Sequence, residues 1–402
     1  MLDFKAIKSN LDEWEQGLKR KGAKFDLEQL VSLADEYAVV LQKVEEIRAD
    51  KNAAAKAKDI EAGKKIGQDL DKHEKKLKAL EEDLEKLTSG LPNLPMADVP
   101  NGGEDDGKVV SNWGTLPKIK KVRDHIELGA DLNILDIERG VKASGSRFYY
   151  LKNQAVQLEF ALVNFALDIV GKHGFEFLSG PQLLGEKAMM GAGYLGKAAD
   201  EIYKTQDDLY LIGSSEQSIL AYHMDEVITV PRRYASFSSC FRREAGSYGK
   251  DVKGIFRVHQ FDKVEMFSFV QPEDSAKEHE FLVGIEEEIL QKLEIPYQAK
   301  MLAAGDLGIA SAKTIDLESW LPSQDKYRES HSCSNCTDWQ ARRLNIRFKN
   351  QDGKNEPVHT LNGTAISITR FLAIFLENHQ QEDGSIKIPK ALQPYCGFEE
   401  IK

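Results

Sequence analysis

Hydrophobic positions near the start of the chain recur at helical spacing. Leu2, Phe4, Ile7, Leu11 and Trp14 mark a short helical lead-in over residues 1 to about 25. Leu30, Ala34, Tyr37, Leu41 and Val44 then recur in alternating steps of four and three. Ile66, Leu70, His73, Leu77, Leu80, Leu84 and Leu87 do the same without a break. Each set is an a/d seam, so two long helices are expected to fold back as an antiparallel coiled-coil hairpin. Residues 66–87 alone would run roughly 30 Å. A polar, Ala- and Lys-rich stretch, Lys51 to Lys65, is expected to form the turn. His73 reads as a packing histidine, with no His or Cys nearby to make it a metal ligand.

A Pro- and Gly-rich acidic segment, Leu91 to Gly107, follows and marks a domain boundary. The expected division is a helical arm over 1–102 and a second domain over 103–402. Beyond the boundary the period changes. Gln154 to His173 predicts one helix, with Leu158, Leu162, Phe165, Ala166 and Ile169 on its apolar stripe and Gly174 past its end. Phe175 to Leu184 predicts a strand interrupted by Pro181. Phe241 to Phe267 predicts two strands joined by a polar loop, Gly246 to Gly254, expected to be exposed and mobile. Strand alternation puts Arg257, His259, Phe261, Lys263 and Glu265 on one face, with Arg242 and Glu244 sharing a face of the preceding strand. Such a face is a poor core. It is a good floor for an anionic, ring-bearing ligand, because arginine forks match phosphate or carboxylate oxygens.

Composition narrows the class. A net charge of −11 over 402 residues excludes a general polyanion binder, so any RNA contact must use local basic patches. No run of eighteen apolar residues predicts a membrane span, and the N-terminus has no apolar signal core. Four cysteines fit a reducing cytoplasm rather than a disulfide scaffold. Cys333 and Cys336 form a lone CxxC; without a second pair, a structural zinc site is not expected. The chain lacks GxxxxGK[ST] and a GxGxxG phosphate loop, so any ATP site must be built differently; arginines, carboxylates and a stacking aromatic would suffice.

FRREAGSYGKDVKGIFRVHQFDKVEMF, residues 241–267, closely resembles motif 2 of class II aminoacyl-tRNA synthetases, in the wording of the seryl-tRNA synthetase family. FEFLSGPQLL with the helix before it resembles motif 1. HTLNGTAISITRFLAIFLENHQ, residues 359–380, resembles motif 3, read as a strand, a turn at Gly363 and a helix begun by Arg370. The resemblance covers arm and core. It implies an α+β fold: an antiparallel sheet of six or seven strands flanked by helices, with the N-terminal coiled-coil arm. It implies a cytoplasmic, homodimeric serine–tRNA ligase, paired through the Gln154–Leu184 region and without membrane attachment. Serine and ATP, with Mg2+, would give seryl-adenylate, and serine would pass to tRNA(Ser) and, if the organism has one, to tRNA(Sec).

The same resemblance implies the site. Arg242 would contact the α-phosphate and the serine carboxylate. Glu244 would read the adenine amino group, Phe261 would stack on the ring, and Arg257 would face the outer phosphates. Arg370 would clamp the adenine or the γ-phosphate, and Arg242 and Arg370 are the catalytic pair. Arg243 joins the ATP set without a side-chain role. In YRESHSCSN, Glu329 and Ser332 would hold magnesium, with Ser330 and His331 beside the nucleotide. Glu265 would read the serine hydroxyl, with Thr364 and Asn362 shaping the pocket. IGSSEQ resembles the family's TxE loop, with Ser214 in place of Thr, then Ser215 and Glu216. The arm would grip tRNA through Lys51, Lys56, Lys64 and Lys65. The alternatives are a synthetase-like ligase acting on a carrier protein and a non-enzymatic RNA-binding paralogue.

Overall fold

The computed structural model describes residues 3–195, 199–245 and 253–402. Leu2 of the lead-in and residues 246–252 of the polar loop lie outside them. The chain divides into two compact units at Leu94/Pro95. Residues 95–102, grouped with the arm by linker composition, belong to the second unit, where Val99 packs with Ala304 and Leu307.

The first unit is helical. The lead-in is two helices, α1 (Phe4–Ser9) and α2 (Leu11–Arg20). Two long helices follow, α3 (Leu27–Lys56) and α4 (Ile60–Thr88). Arg48 reaches Glu74, Lys76 reaches Glu36 and Tyr37 reaches Glu81, so the pair runs antiparallel. The seam holds with one shift: Val40 is buried and Leu41 only half-buried, while Leu70, Leu77, Leu80 and Leu84 are buried as expected. His73 is half-buried and bonds the Asp69 carbonyl at 2.9 Å. The polar stretch is mostly helix rather than turn. Only Ala57–Asp59 break the path, with Lys58 at φ 60° and Asp59 capping α4 through the Ala62 amide. Ala and Lys are good helix formers, so polarity there signalled exposure and not a turn. The buried seam has two parts. A basal cluster joins Ile7, Leu18, Leu27, Leu30, Leu84 and Leu91; a distal one joins Val40, Val44, Ile47, Leu70, Leu77 and Leu80.

The second unit is built on eight strands: β1 (Lys108–Trp113), β2 (Glu176–Phe177), β3 (Arg232–Phe241), β4 (Gln260–Val270), β5 (Tyr297–Met301), β6 (Lys313–Leu321), β7 (Lys326–Asn335) and β8 (His359–Ser367). Their order is β1-β5-β6-β7-β8-β4-β3-β2. All neighbours are antiparallel except β2 and β3. The sheet thus has one strand more than the upper expectation, and its edge pair is parallel. Four helices matter for the site: α5 (Gln154–Lys172), α6 (Ser215–Tyr222), α7 (Ser275–Lys292) and α8 (Ile368–His379). α5 is long and apolar enough to cross a membrane, but its stripe of Leu158, Leu162, Phe165, Ala166 and Ile169 is buried in the core beside Val264 and Phe375. The strand expected over 175–184 is split: Glu176–Phe177 joins the main sheet, and Leu183–Leu184 pairs with Tyr210–Leu211.

Candidate active site

The central strands β4, β8 and β7 carry the floor of a cleft of about 520 Å³. Strand alternation builds it. Phe261, Lys263 and Glu265 from β4, Asn362 and Thr364 from β8, and Ser332 and Ser334 from β7 all face the opening. Arg242 enters from the end of β3, Glu216 from α6 and Arg370 from α8. Val264, Met266, Cys333 and Ala365 point the other way, into the core.

One part of the cleft holds buried carboxylates. Glu265 sits opposite Thr364 in register and pairs with Lys263. Burial raises its carboxyl to about 7, against the pull of Lys263. Glu216 is buried too, and burial raises its carboxyl despite three donors. Gln340 Nε2 donates to it at 2.6 Å, Tyr194 O–H at 3.1 Å and Asn362 Nδ2 at 3.3 Å. These groups are polar, buried and oriented, as recognition of a small hydroxyl-bearing ligand requires.

The other groups are cations and an aromatic. The Arg242 guanidinium lies 5.4 Å from the Phe261 ring centre, and its Nε donates to the Gly213 carbonyl at 3.2 Å. Arg370 Nη1 donates to Glu329 Oε1 at 2.6 Å. Partial loss of hydration in the cleft works against the charge of the half-exposed Glu329, but Arg370, then Arg242 and Arg257, outweigh it and hold the carboxyl low.

Several expected site residues stand elsewhere. β3 ends at Phe241, so Arg242 and Glu244 lie past it and do not share a strand face; Glu244 has φ 52°. Arg257 lies before β4 and donates to Glu244 Oε2 at 2.8 Å, and neither lines the cleft. Arg243 is outside it as well, with its amide on the Glu201 carbonyl. Ser214 caps α6 through the Glu216 amide, and Ser215 donates to the Ser236 carbonyl; both are buried off the cleft wall. Ser330 lines the cleft, but His331 is turned away from it by strand alternation. Its Nε2 donates to the Ala365 carbonyl at 3.0 Å, and burial lowers its pKa to about 4. Gly363 is no turn. β8 runs through it, with a bulge between Thr364 and Ile366.

Sequence reading missed Tyr194, Asp306, Thr314 and Ser367 on the cleft wall and gave Lys263 no role. Lys263 carried a signal, since it alternates with Phe261 and Glu265. Ser367 lies in the motif 3 segment, two residues past Ala365, whereas Tyr194, Asp306 and Thr314 come from distant segments with no motif of their own. Cys333 and Cys336 are buried and not disulfide-bonded, and Cys336 faces the cleft.

A central antiparallel sheet bearing an open, arginine- and carboxylate-lined cleft defines a class II aminoacyl-tRNA synthetase core. The family model for that core (G, H, P, S and T) matches residues 200–379, and the seryl-tRNA synthetase N-terminal domain model matches residues 1–95. The chain belongs to the seryl-tRNA synthetase family. It is 43% identical to a serine–tRNA ligase of Bifidobacterium adolescentis, over 100% of this chain and 98% of that one. It is 46% identical to serine–tRNA ligase 1 of Streptomyces avermitilis, over 91% and 84%. The seryl-tRNA synthetase of Pyrococcus horikoshii, solved with ATP, superposes with a TM-score of 0.89 at 37% identity, covering 100% of this chain and 99% of that one. The cytoplasmic enzyme of Naegleria fowleri, solved with AMP, gives 0.85 at 31% identity, covering 99% and 97%. These relatives match arm and core together, and they give no support to a carrier-protein ligase or an inactive paralogue.

Proposed function

We propose the following course for the serine–tRNA ligase reaction of this chain. Serine lies over Glu265 and Thr364. Its hydroxyl meets the Glu265 carboxyl, and its ammonium meets Glu216, which Tyr194, Gln340 and Asn362 hold in place. Its carboxylate lies toward Arg242. ATP is sandwiched between Phe261 and Arg370, and its phosphates lie toward Arg242 and Arg257. Arg257 leaves Glu244 for them, and Glu244 then accepts from the adenine amino group.

A serine carboxylate oxygen attacks the α-phosphorus, forming the adenylate as the bond to pyrophosphate breaks. The 3′-terminal adenosine hydroxyl of tRNA(Ser) then attacks the serine carbonyl, and AMP leaves. No side-chain nucleophile is needed; positioning and charge neutralisation carry both steps. Residues present fit magnesium. Glu329 and Ser332 are hard oxygen donors, and Asp316, opposite Ser332 in register, has a buried oxygen without a hydrogen bond. The ion would neutralise phosphate charge beside Glu329 and Ser332. At the arm, Lys51, Lys56, Lys64 and Lys65 are exposed around the hairpin tip and would meet the tRNA backbone. tRNA(Sec), where the cell has one, is the second acceptor.

The reading also takes the enzyme to be a cytoplasmic homodimer paired along α5, where Val156 and Phe160 are exposed, as are Phe177 and Leu183. One arrangement supports the reaction above all: the buried Lys263–Glu265 pair opposite Thr364, in one cleft with Arg242, Phe261 and Arg370. The test is serine-dependent ATP–pyrophosphate exchange followed by charging of purified tRNA(Ser). Exchange driven equally well by threonine or alanine would overturn the serine assignment.

A further inference from the structure

Behind the floor of the cleft lies a carboxyl that the reaction above does not use. Glu286 projects from α7 and is fully buried. α7 packs across β8 and β7. The carboxyl sits directly behind Gly363: a Cβ built there would lie 3.1 Å from Glu286 Oε1, with Met266 and Cys333 as its other neighbours. Gly363 thus lets a polar group approach the strand more closely than a Cβ at that position would allow without a small shift.

The other buried carboxylate on this helix is ordinary. Glu278 takes two hydrogen bonds from Arg233 and one from Ser268. Glu286 has no such partner: among the described residues neither oxygen makes a hydrogen bond of normal geometry. The backbone N–H that acts on it is that of Thr364. A buried carboxyl left without strong donors is costly and is retained where it serves something.

Its location suggests what. β8 bulges between Thr364 and Ile366, so its ladder with β4 shifts just past the Thr364–Glu265 pair. A bulge leaves backbone groups unpaired. His331 takes the Ala365 carbonyl from behind the sheet. Glu286 lies behind Gly363, whose peptide link carries the Thr364 amide.

We propose that Glu286 is a positioning residue for the amino-acid pocket, reaching behind Gly363 to the Thr364 amide and fixing the bulged segment that presents Asn362 and Thr364 to serine. This rests on the reading of Glu265, Asn362 and Thr364 as the serine pocket. The carboxyl acts as a neutral acid. Burial, then the nearby charges of Glu265 and Asp316, push it well above the usual carboxylate range, with Lys263 opposing. A second negative charge behind the floor would also disfavour the ionised Glu265. Cys333, beside Gly363, is a buried thiol pushed up by burial and then by Glu286 and Glu265, so it adds no charge.

The test is serine and ATP KM in pyrophosphate exchange, with thermal melting alongside. Glu286→Gln, a neutral isostere, should leave serine KM within about threefold, whereas Glu286→Met should raise it about tenfold or more with ATP KM unchanged. Should the Met variant not fold, Glu286→Asp, one methylene too short, is expected to give the same split. Wild-type serine KM in the Met or Asp variant, or parallel rises in both KM values, would overturn the proposal. So would a Gln variant as impaired as Met. Glu265→Ala separates the two readings. If it leaves serine activation intact, the pocket assignment itself fails; if it abolishes activation while the Glu286 variants bind serine normally, only the present inference fails.

Discussion

Arg370 Nη1 lies 2.6 Å from Glu329 Oε1, tying the first turn of α8 to β7 across the cleft mouth. The contact joins a group proposed to clamp the nucleotide to one proposed to hold magnesium. Glu329 is half-exposed, so the pair matters little for folding and its importance should show in turnover. Arg370→Ala is expected to cut the exchange rate about 100-fold or more while shifting Tm by no more than a few degrees. A loss of the same size in melting stability as in rate would assign the pair a structural role instead.

Glu265→Ala should abolish serine-dependent exchange and leave ATP affinity within about threefold. The change removes the one buried carboxylate that faces Thr364 in register. A pocket built to bind a hydroxyl loses several kcal/mol when its polar partner goes. Nucleotide affinity by titration calorimetry, beside the exchange assay, checks both halves.

The same residue makes stability depend on pH. Its folded pKa, about 7, lies above the unfolded value of 4.5, so the native state binds the extra proton. Stability from this group is therefore present at low pH and is lost as pH rises from about 4.5 through about 7. The full loss is on the order of 3 kcal/mol. Glu265→Gln removes that dependence. Its Tm advantage over the wild type should be larger at pH 8 than at pH 5, and an equal difference at both values would contradict the shifted titration.

Shortening the arm should separate the two half-reactions. Replacing residues 38–80 by a tight turn removes the distal cluster and the lysine tip but spares the basal cluster around Leu30, Leu84 and Leu91. Pyrophosphate exchange is expected within about twofold of the wild type, with tRNA charging reduced by orders of magnitude at limiting tRNA. Equal charging by the shortened and full-length enzymes would rule out the arm as the tRNA grip.

Phe160→Asp with Phe177→Asp should weaken the proposed dimer by at least about 100-fold, since large exposed aromatics dominate such interfaces. Sedimentation at micromolar protein gives the answer. A wild-type enzyme that is already monomeric would remove the premise.

What the sequence determined by itself was whatever local chemistry repeats or alternates. The arm seam is legible because Leu70, Leu77 and Leu80 meet one partner helix at a fixed period. The faces of β4 and β8 are legible because alternation alone puts Phe261, Lys263 and Glu265 together, and Asn362 with Thr364. Boundaries were less so: the turn stretch reads as polar because it is exposed, though nearly all of it is helix. Only the tertiary structure decided which side chains meet across distant segments. His331 lies between two residues that line the cleft, yet it faces the core and holds the carbonyl of a bulge. Glu244 and Arg257 meet although neither stands on a strand. Tyr194 carries no motif, yet it donates to Glu216. Glu286, in an unremarkable Glu-rich helix, comes to lie behind Gly363 only because α7 packs across the sheet. A period fixes which face a residue takes, but hydrogen bonds between remote segments depend on how strands are ordered and where a bulge breaks the ladder.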